Sequence, residues 1–457
     1  MTSQELAAAV RSLMPRAQAE LAELVAYRSV ADPRVFPVEE CQAAARWVAE
    51  AFAADGLTNV QVLDTPDGTQ SVYAELAGPA GAPTVLLYSH YDVQPPLDEA
   101  AWQTPPFELT ERDGRWYGRG AADCKGNILM HLTALRALRA TYGDALPVGL
   151  KMIVEGSEEQ GTGGLEQYAL ANPELLAADV IVVGDVGNFA AGLPTATATL
   201  RGITEVEIEV ATLAGNLHSG QFGGAAPDAL LALIRILATL HDEHGATTIK
   251  GLECDQSWPG VAYPQERFGA DAKVLDGVRL IGTGGVADRL WARPAATVIG
   301  MDVPPTVGAT SSVQARAKAV VSLRIPPGMA TTTAQDALVA HLEAAAPWGV
   351  RVTLNRLASG EPFRADTSGL AYEALGAAMH EAYGVEMAVS GMGGSIPLCN
   401  TLRTLYPQAE IVLIGVEEPT TQIHAVNESL DPAELELMTL SEALFLRGYA
   451  KAWSERA

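Results

Sequence analysis

The strongest constraint on the fold is an alternation that runs through the first part of the chain. Residues 4–29 and 39–55 place apolar side chains at helical spacing, and short β-rich runs follow at Val60–Leu63, Ser71–Leu76 and Thr84–Tyr88. Ile128–Leu138 is again helical in period, while Val148–Val154 and Val180–Val183 are continuous apolar runs of strand length. Strands that alternate with helices predict an α/β layer, a mainly parallel sheet flanked by helices. In such sheets the groups that meet a ligand gather at the carboxyl ends of the strands. Several residues able to do chemistry stand at those ends. His90 follows TVLLYS, Glu158 and Glu159 follow LKMIVEGS, and Asp185 follows VIVVG.

Near residue 203 the pattern changes. Thr204–Val210 alternates as TEVEIEV, a half-exposed strand with one charged face. A helix is expected at Asp228–Leu240, a strand at Val313–Ile325 and a helix at Thr331–Ala345. After about residue 366 the first style returns, with a helix at Leu370–Tyr383, a buried strand at Glu410–Ile414, and His424 beyond it. At 457 residues the chain exceeds what one hydrophobic core usually serves. The expected organisation is therefore a first domain made of residues 1–202 and 367–457, interrupted by a smaller α+β domain over 203–366. There is no internal repeat and no low-complexity linker.

Charge and cysteine usage remove several function classes. Lys and Arg total 30 against 55 Asp and Glu, a net charge of −25. Nucleic acids and anionic membranes select basic surfaces, so neither is an expected partner. A few local arginines can still serve an anionic substrate. The four cysteines, Cys41, Cys124, Cys254 and Cys399, lie far apart with no C-x-x-C spacing, which suits a reduced cytoplasmic setting better than a disulfide framework. The amphipathic N-terminus is interrupted by Arg11 and Arg16, unlike a signal peptide. No stretch reaches the roughly 20 apolar residues of a membrane span.

Five candidate metal ligands occupy loop positions: His90, Asp123, Glu159, Asp185 and His424. Imidazole and carboxylate together suit Zn²⁺, and less selectively Mn²⁺ or Co²⁺. Asp123 lies in the glycine-rich run Gly118-Arg119-Gly120-Ala121-Ala122-Asp123 and is the natural carboxylate to bridge two ions. Any one of the five alone reads as a solvated loop charge or a structural histidine; the argument rests on the set. In the pair Glu158-Glu159, one carboxylate can bind metal while its neighbour stays free as a general base. His218, in Gly215-Asn216-Leu217-His218-Ser219-Gly220, is either an oxyanion donor or a turn histidine. Arg324, in an apolar strand, either pairs with a structural carboxylate or grips a substrate carboxylate. Gly393-Gly394-Ser395-Ile396-Pro397 is a loop with backbone N–H groups to offer an anion.

Taken in order, these segments resemble the dinuclear-zinc metallopeptidase superfamily of carnosinases, bacterial cytosolic dipeptidases, glutamate carboxypeptidase, aminoacylase and acetylornithine deacetylase. The resemblance runs nearly end to end. It takes in Ser89-His90-Tyr91-Asp92-Val93-Gln94-Pro95, Trp102 with Pro106-Phe107, Gly118 to Gly126, and Glu155-Gly156-Ser157-Glu158-Glu159. It continues through Arg201-Gly202, the His218 loop, the Arg324 strand, Gly393 to Pro397, and His424 with Asn427-Glu428. The resemblance implies two Zn²⁺ per subunit, with His90 and Asp185 on one, Glu159 and His424 on the other, and Asp123 bridging. It implies hydrolysis of the amide bond of dipeptides or other small peptides by a metal-bridging hydroxide, with Glu158 as general base. Asp92 would orient His90. His218 would polarise the scissile carbonyl, often from the other subunit of a dimer. Arg324 would bind the substrate carboxylate, helped by Ser395, Gly394 and Ser311. The inserted domain would serve as lid and as the contact of a homodimer. A cis peptide is expected at Asp123-Cys124.

The chain departs from the family pattern in places. Cys124 stands where aspartate or asparagine is expected, Asn216 where aspartate is frequent, and Ser312-Val313-Gln314-Ala315-Arg316 where a Pro-x-Lys segment is usual. None of these removes a ligand or the base. Asp185, rather than glutamate, and the His-Tyr-Asp-Val-Gln-Pro run look more like dipeptidases than deacetylases. The alternatives are an N-acyl-amino-acid amidohydrolase using the same site, and a non-catalytic homologue, which should have lost a ligand or the base.

Overall fold

The computed structural model describes residues 2–143 and 145–456. Its contacts divide the chain into two compact units. The first contains the chain up to Ala198, Ala365–Ser390 and the chain from Pro397 onward; the second contains Thr199–Arg364 and Gly391–Ile396. The short loop that carries Gly394 and Ser395 thus packs with the second unit, although the sequence pattern groups it with the first.

The first unit is built on a six-stranded sheet ordered Thr58–Asp64, Gln70–Leu76, Gly149–Glu155, Thr84–His90, Val180–Gly184 and Glu410–Ile414. The last four strands are mutually parallel, and the first two join antiparallel at one edge. Thr84–His90 and Val180–Gly184 are almost wholly buried, as expected of parallel strands covered on both faces. The helix Lys125–Tyr142 is sealed inside, with every residue from Lys125 to Leu138 buried. The N-terminal helix spans Ser3–Ala26 with Pro15 inside it, shorter than its 4–29 apolar period, and the chain turns extended at Tyr27. Lys125 Nζ reaches back to the carbonyls of Leu24 and Tyr27, both at 2.9 Å, and so ties down that helix end.

Register fixes what the sheet presents. His90 pairs with Glu155, so both end their strands at the same level. Asp185 follows Gly184, which pairs with Ile414. Four carboxyl ends therefore deliver His90, the Glu158–Glu159 turn, Asp185 and the segment leading to Glu417 and His424 to one edge.

The second unit is a four-stranded antiparallel sheet ordered Ala295–Asp302, Arg316–Ile325, Gly202–Ala211 and Arg351–Gly360. Gly202–Ala211 alternates strictly between buried and half-buried positions. Its inward Val206, Ile208 and Val210 pack with Val321 and Leu323 and with Leu233, Ile236, Leu338 and Leu342 of the helices Ala229–Ala238 and Thr331–Ala344. Each such fully buried side chain contributes about 1.5–3 kcal/mol, enough in sum to give this unit its own core. The run expected as one strand, Val313–Ile325, is two. Val313 pairs with Leu217, and a separate strand begins at Arg316. Asp228 lies just outside its helix as the N-cap, accepting the Leu231 N–H at 2.8 Å. Among the described residues, no helix is long and apolar enough to cross a membrane.

Candidate metal centre

The loop after the short strand Arg115–Tyr117 carries Asp123 to the sheet edge. Gly120 has φ +79°, and a Cβ there would meet Val93 at 2.4 Å, so this turn requires glycine. Glu428 clamps the loop. Its Oε2 accepts the Gly120 N–H at 3.0 Å and Nη1 of Arg119 at 2.7 Å, and its Oε1 accepts the N–H groups of Ala122 and Asp123 at 3.1 and 3.2 Å. All of these groups are buried. The Asp123-Cys124 peptide is cis.

Asp123 turns one carboxylate oxygen to each of two groups. Its Oδ1 lies 3.1 Å from His90 Nε2, which is also 3.0 Å from Asp185 Oδ1. Its Oδ2 lies 2.9 Å from His424 Nε2, which is also 3.1 Å from Glu159 Oε2. All five expected ligands thus converge, as two imidazole–carboxylate sets sharing one aspartate. The ligand atoms of Asp123, Glu159 and His424 all lie within 4.8 Å of one another, as do those of His90, Cys124 and Asp185, and those of Asp123, Asp185 and Glu417. A mixed nitrogen and oxygen donor set of this kind fits Zn²⁺, Mn²⁺ or Co²⁺.

Positioning contacts surround the sets. His90 Nδ1 lies 3.0 Å from the main-chain oxygen of Asp92, an acceptor only, so Nδ1 carries the proton and Nε2 faces the carboxylates. The Asp92 carboxylate is farther from Nδ1, at 3.4 Å. It instead accepts the N–H groups of Glu158 and Glu159 at 3.1 and 3.0 Å, fixing the turn that bears both glutamates. Gln94 Nε2 donates to Glu159 Oε2 at 2.8 Å. Glu158 is held in the same turn, but its carboxylate makes no hydrogen bond among the described residues.

The electrostatics follow from burial and crowding. Burial alone would raise Asp123, but hydrogen bonds from His424 and His90 outweigh it and hold the carboxyl below its usual range. Burial, reinforced by Asp185, pushes Glu158 well above the ordinary glutamate value. Burial likewise raises Asp185 to about 6, with His90 opposing. At His90 burial works against a charged ring, yet Cys124, Asp185 and Asp123 outweigh it and raise the imidazole. The hydrogen bond to Asp123, then that to Glu159, raises His424 to about 11. A dication entering the second set must displace the proton that these hydrogen bonds favour on His424. Metal affinity should therefore fall as pH falls, by about tenfold per pH unit for each proton displaced. Titration calorimetry in buffers of differing ionisation enthalpy, between about pH 6 and 8, should show proton release on metal binding. Affinity that does not change with pH would remove His424 from the ligands.

Three residues near the sets had no role assigned from sequence. They are Gln94, Glu428 and Glu417, the last buried beside Asp123 and Asp185 with Oε1 unpartnered among the described residues. Gln94 and Glu428 stand inside the motif runs around His90 and His424, which was the available signal. Glu417 had none.

The remaining candidates belong to the second unit. His218 is exposed, pairs in register with Ser312, and accepts the Gly220 N–H at Nδ1, 3.0 Å away. Ser311 accepts the Ser219 N–H through its main-chain oxygen at 2.9 Å, so it neighbours His218. Arg324 stands near the end of its strand opposite Ala295 and Ile203, half-buried. Gly394 and Ser395 are half-buried, and Ser395 Oγ lies beside Gly360.

Comparison with known proteins agrees with this geometry. A model of peptidase family M20/M25/M40 matches residues 86–446. The cysteinylglycine-S-conjugate dipeptidase of Corynebacterium striatum is 46% identical over 438 residues, which is 94% of this chain and 95% of that protein. The β-Ala-His dipeptidase of Rattus norvegicus is 28% identical, covering 83% of each. Among solved structures, human carnosine dipeptidase 1 superposes with a TM-score of 0.82 at 24% identity over 99% of both chains. The Saccharomyces cerevisiae dipeptidase Dug1p gives the same score at 22% identity, over 98% of this chain and 99% of its own. With a family model spanning most of its length and a near-full-length relative at that identity, the chain belongs to peptidase family M20/M25/M40 and is a metallopeptidase.

Proposed function

We propose that the chain is a dinuclear-zinc dipeptidase that hydrolyses the amide bond of dipeptides with a free C-terminal carboxylate, cysteinylglycine-type and β-alanyl dipeptides among them. The observation that carries this reading is Asp123, whose two oxygens face separate imidazole–carboxylate sets with a half-buried, unbonded Glu158 beside them. The names of the relatives support the substrate class. His90, Asp185 and Asp123 would hold one ion, and His424, Glu159 and Asp123 the other. When bound, the ions would polarise the scissile carbonyl and lower the pKa of a water.

The chain's own residues do the rest. Glu158 takes the proton of the attacking water and passes it to the leaving amine. Its raised pKa makes it the stronger acceptor in the first half of that task. Asp92 fixes the turn from which Glu158 projects and, through its main-chain oxygen, the tautomer of His90. His218 donates to the carbonyl oxygen as negative charge develops there. Arg324, with Ser395, Gly394 and Ser311, binds the substrate carboxylate. The second unit acts as lid and as the contact of a homodimer, and the enzyme works in the cytoplasm with Zn²⁺, or with Mn²⁺ or Co²⁺ in its place.

A substrate panel on the zinc-loaded protein tests this. It comprises cysteinylglycine, an S-conjugate of it, β-Ala-His, the same dipeptides amidated at the C-terminus, and N-acetyl amino acids. Free dipeptides should be turned over, amidated ones slower by about tenfold or more for loss of a charged hydrogen bond, and a chelator should abolish activity. Preferential hydrolysis of the N-acetyl amino acids would instead favour the amidohydrolase alternative.

A further inference from the structure

The second unit encloses a cavity of about 310 Å³, near the lower end of the ~300–1,000 Å³ usual for small-molecule sites. Its walls are mostly apolar, with Phe268, Val286 and Leu290 among them. In a chain of net charge −25 no lining residue is acidic, and three are arginines: Arg201, Arg289 and Arg293.

The three arginines are not equivalent. Arg293 spends its donors on the carbonyls of Gln256, Thr283 and Asp255. Arg289 does the same with Ile281 and Gly285. Both fasten the surrounding loops into a wall. Arg201 has no such use. Its Nε and Nη1 are buried and lack any hydrogen-bond partner among the described residues, and no ion pair reaches it. Its nearest charged influence is another cation, Arg324, whose strand neighbours Ala295 and Ile203 place it close by. Burial first, and Arg324 second, lower the Arg201 pKa to about 10.

A buried guanidinium with unmet donors is costly, and such a group calls for a partner outside the protein. The side chain is also anchored for that task. The Arg201 N–H donates to the Met392 oxygen at 3.2 Å, and a Cβ on Gly393 would fall 2.9 Å from its Nη2. Arg201 is thereby packed against the loop that carries Gly394 and Ser395.

We propose that this cavity binds a small organic carboxylate with an apolar body, its charge neutralising Arg201. The occupant is a separate metabolite that binds without being hydrolysed, since the peptide substrate's own carboxylate is assigned to Arg324; the proposal does not rest on the dipeptidase reading.

The test uses the full, metal-loaded chain and a panel of aliphatic and aryl carboxylates from acetate to 4-phenylbutyrate, each paired with its neutral amide. Calorimetry reads binding without turnover, so its result stands whether or not the protein cleaves dipeptides. Carboxylates of fitting size should bind, with their amides weaker by about tenfold or more. Arg201→Gln should lose the carboxylate preference. Arg201→Met should melt at or above the temperature of the unaltered protein, since it removes an uncompensated buried charge. Absence of binding across the panel, equal binding of acid and amide, or a markedly lower melting temperature for Arg201→Met would each overturn the proposal, the last by revealing a structural arginine. Competitive inhibition of dipeptide hydrolysis by the bound acid would also overturn it, by placing the acid in the substrate's own site. Binding with unchanged KM is the expected result.

Discussion

Glu158→Gln should lower kcat by about 10²–10⁴, the usual cost of removing a general base, while leaving metal content intact. The two adjacent glutamates have different surroundings, and this is what separates their roles. Glu159 Oε2 faces His424 at 3.1 Å and accepts from Gln94 at 2.8 Å, so this oxygen is committed. Glu158 leaves the same turn half-buried, with its carboxylate unbonded and its pKa pushed up by desolvation and by Asp185. Glutamine at 158 keeps the shape and the Asp92 contact, which is made through the backbone. Only proton acceptance is lost. Glu159→Gln is the control: it should weaken metal binding, with activity recovering as metal is added. If Glu158→Gln lost the metal and Glu159→Gln kept it, the two roles would have to be exchanged.

The parts of this site that were legible in sequence are those that follow an apolar strand. Buried parallel strands announce themselves as continuous apolar runs, and the polar residue that ends such a run stands out, as His90, Glu158, Glu159 and Asp185 do. Edge strands give no such signal. Ala295–Asp302 and Arg351–Gly360 give no such run because most of their residues are exposed, with only Ala296 in the first and Val352 and Leu354 in the second packed on the core. Pairing between remote segments was equally silent. The clamp of Glu428 on Arg119 spans 309 positions, and nothing local in either segment predicts it. Asp92 shows the limit of reading a role without geometry. It was expected to orient His90, and it does contact that ring, but through its backbone oxygen, while its carboxylate serves the glutamate turn. Arg201 stood in a familiar Arg-Gly pair, yet only the fold reveals that its donors are buried and unmatched.

Asp123→Ala should remove both metals together. Each oxygen of this carboxylate faces a different histidine, His90 at 3.1 Å and His424 at 2.9 Å, so a single substitution takes one ligand from each set. Loss of a direct ligand should cost each site at least the ~10–100-fold in affinity that loss of an outer positioning partner costs. His90→Ala, by contrast, should weaken its own set more than the other. Asp123→Asn, which preserves volume in this buried loop, guards against a folding defect, and circular dichroism should show both variants folded. Metal counting by mass spectrometry on protein equilibrated with limiting free zinc is the most direct measurement. The account predicts two ions per chain in the unaltered protein, and fewer than one in Asp123→Ala and in Asp123→Asn. Two ions retained in either variant, or only one in the unaltered protein, would contradict it.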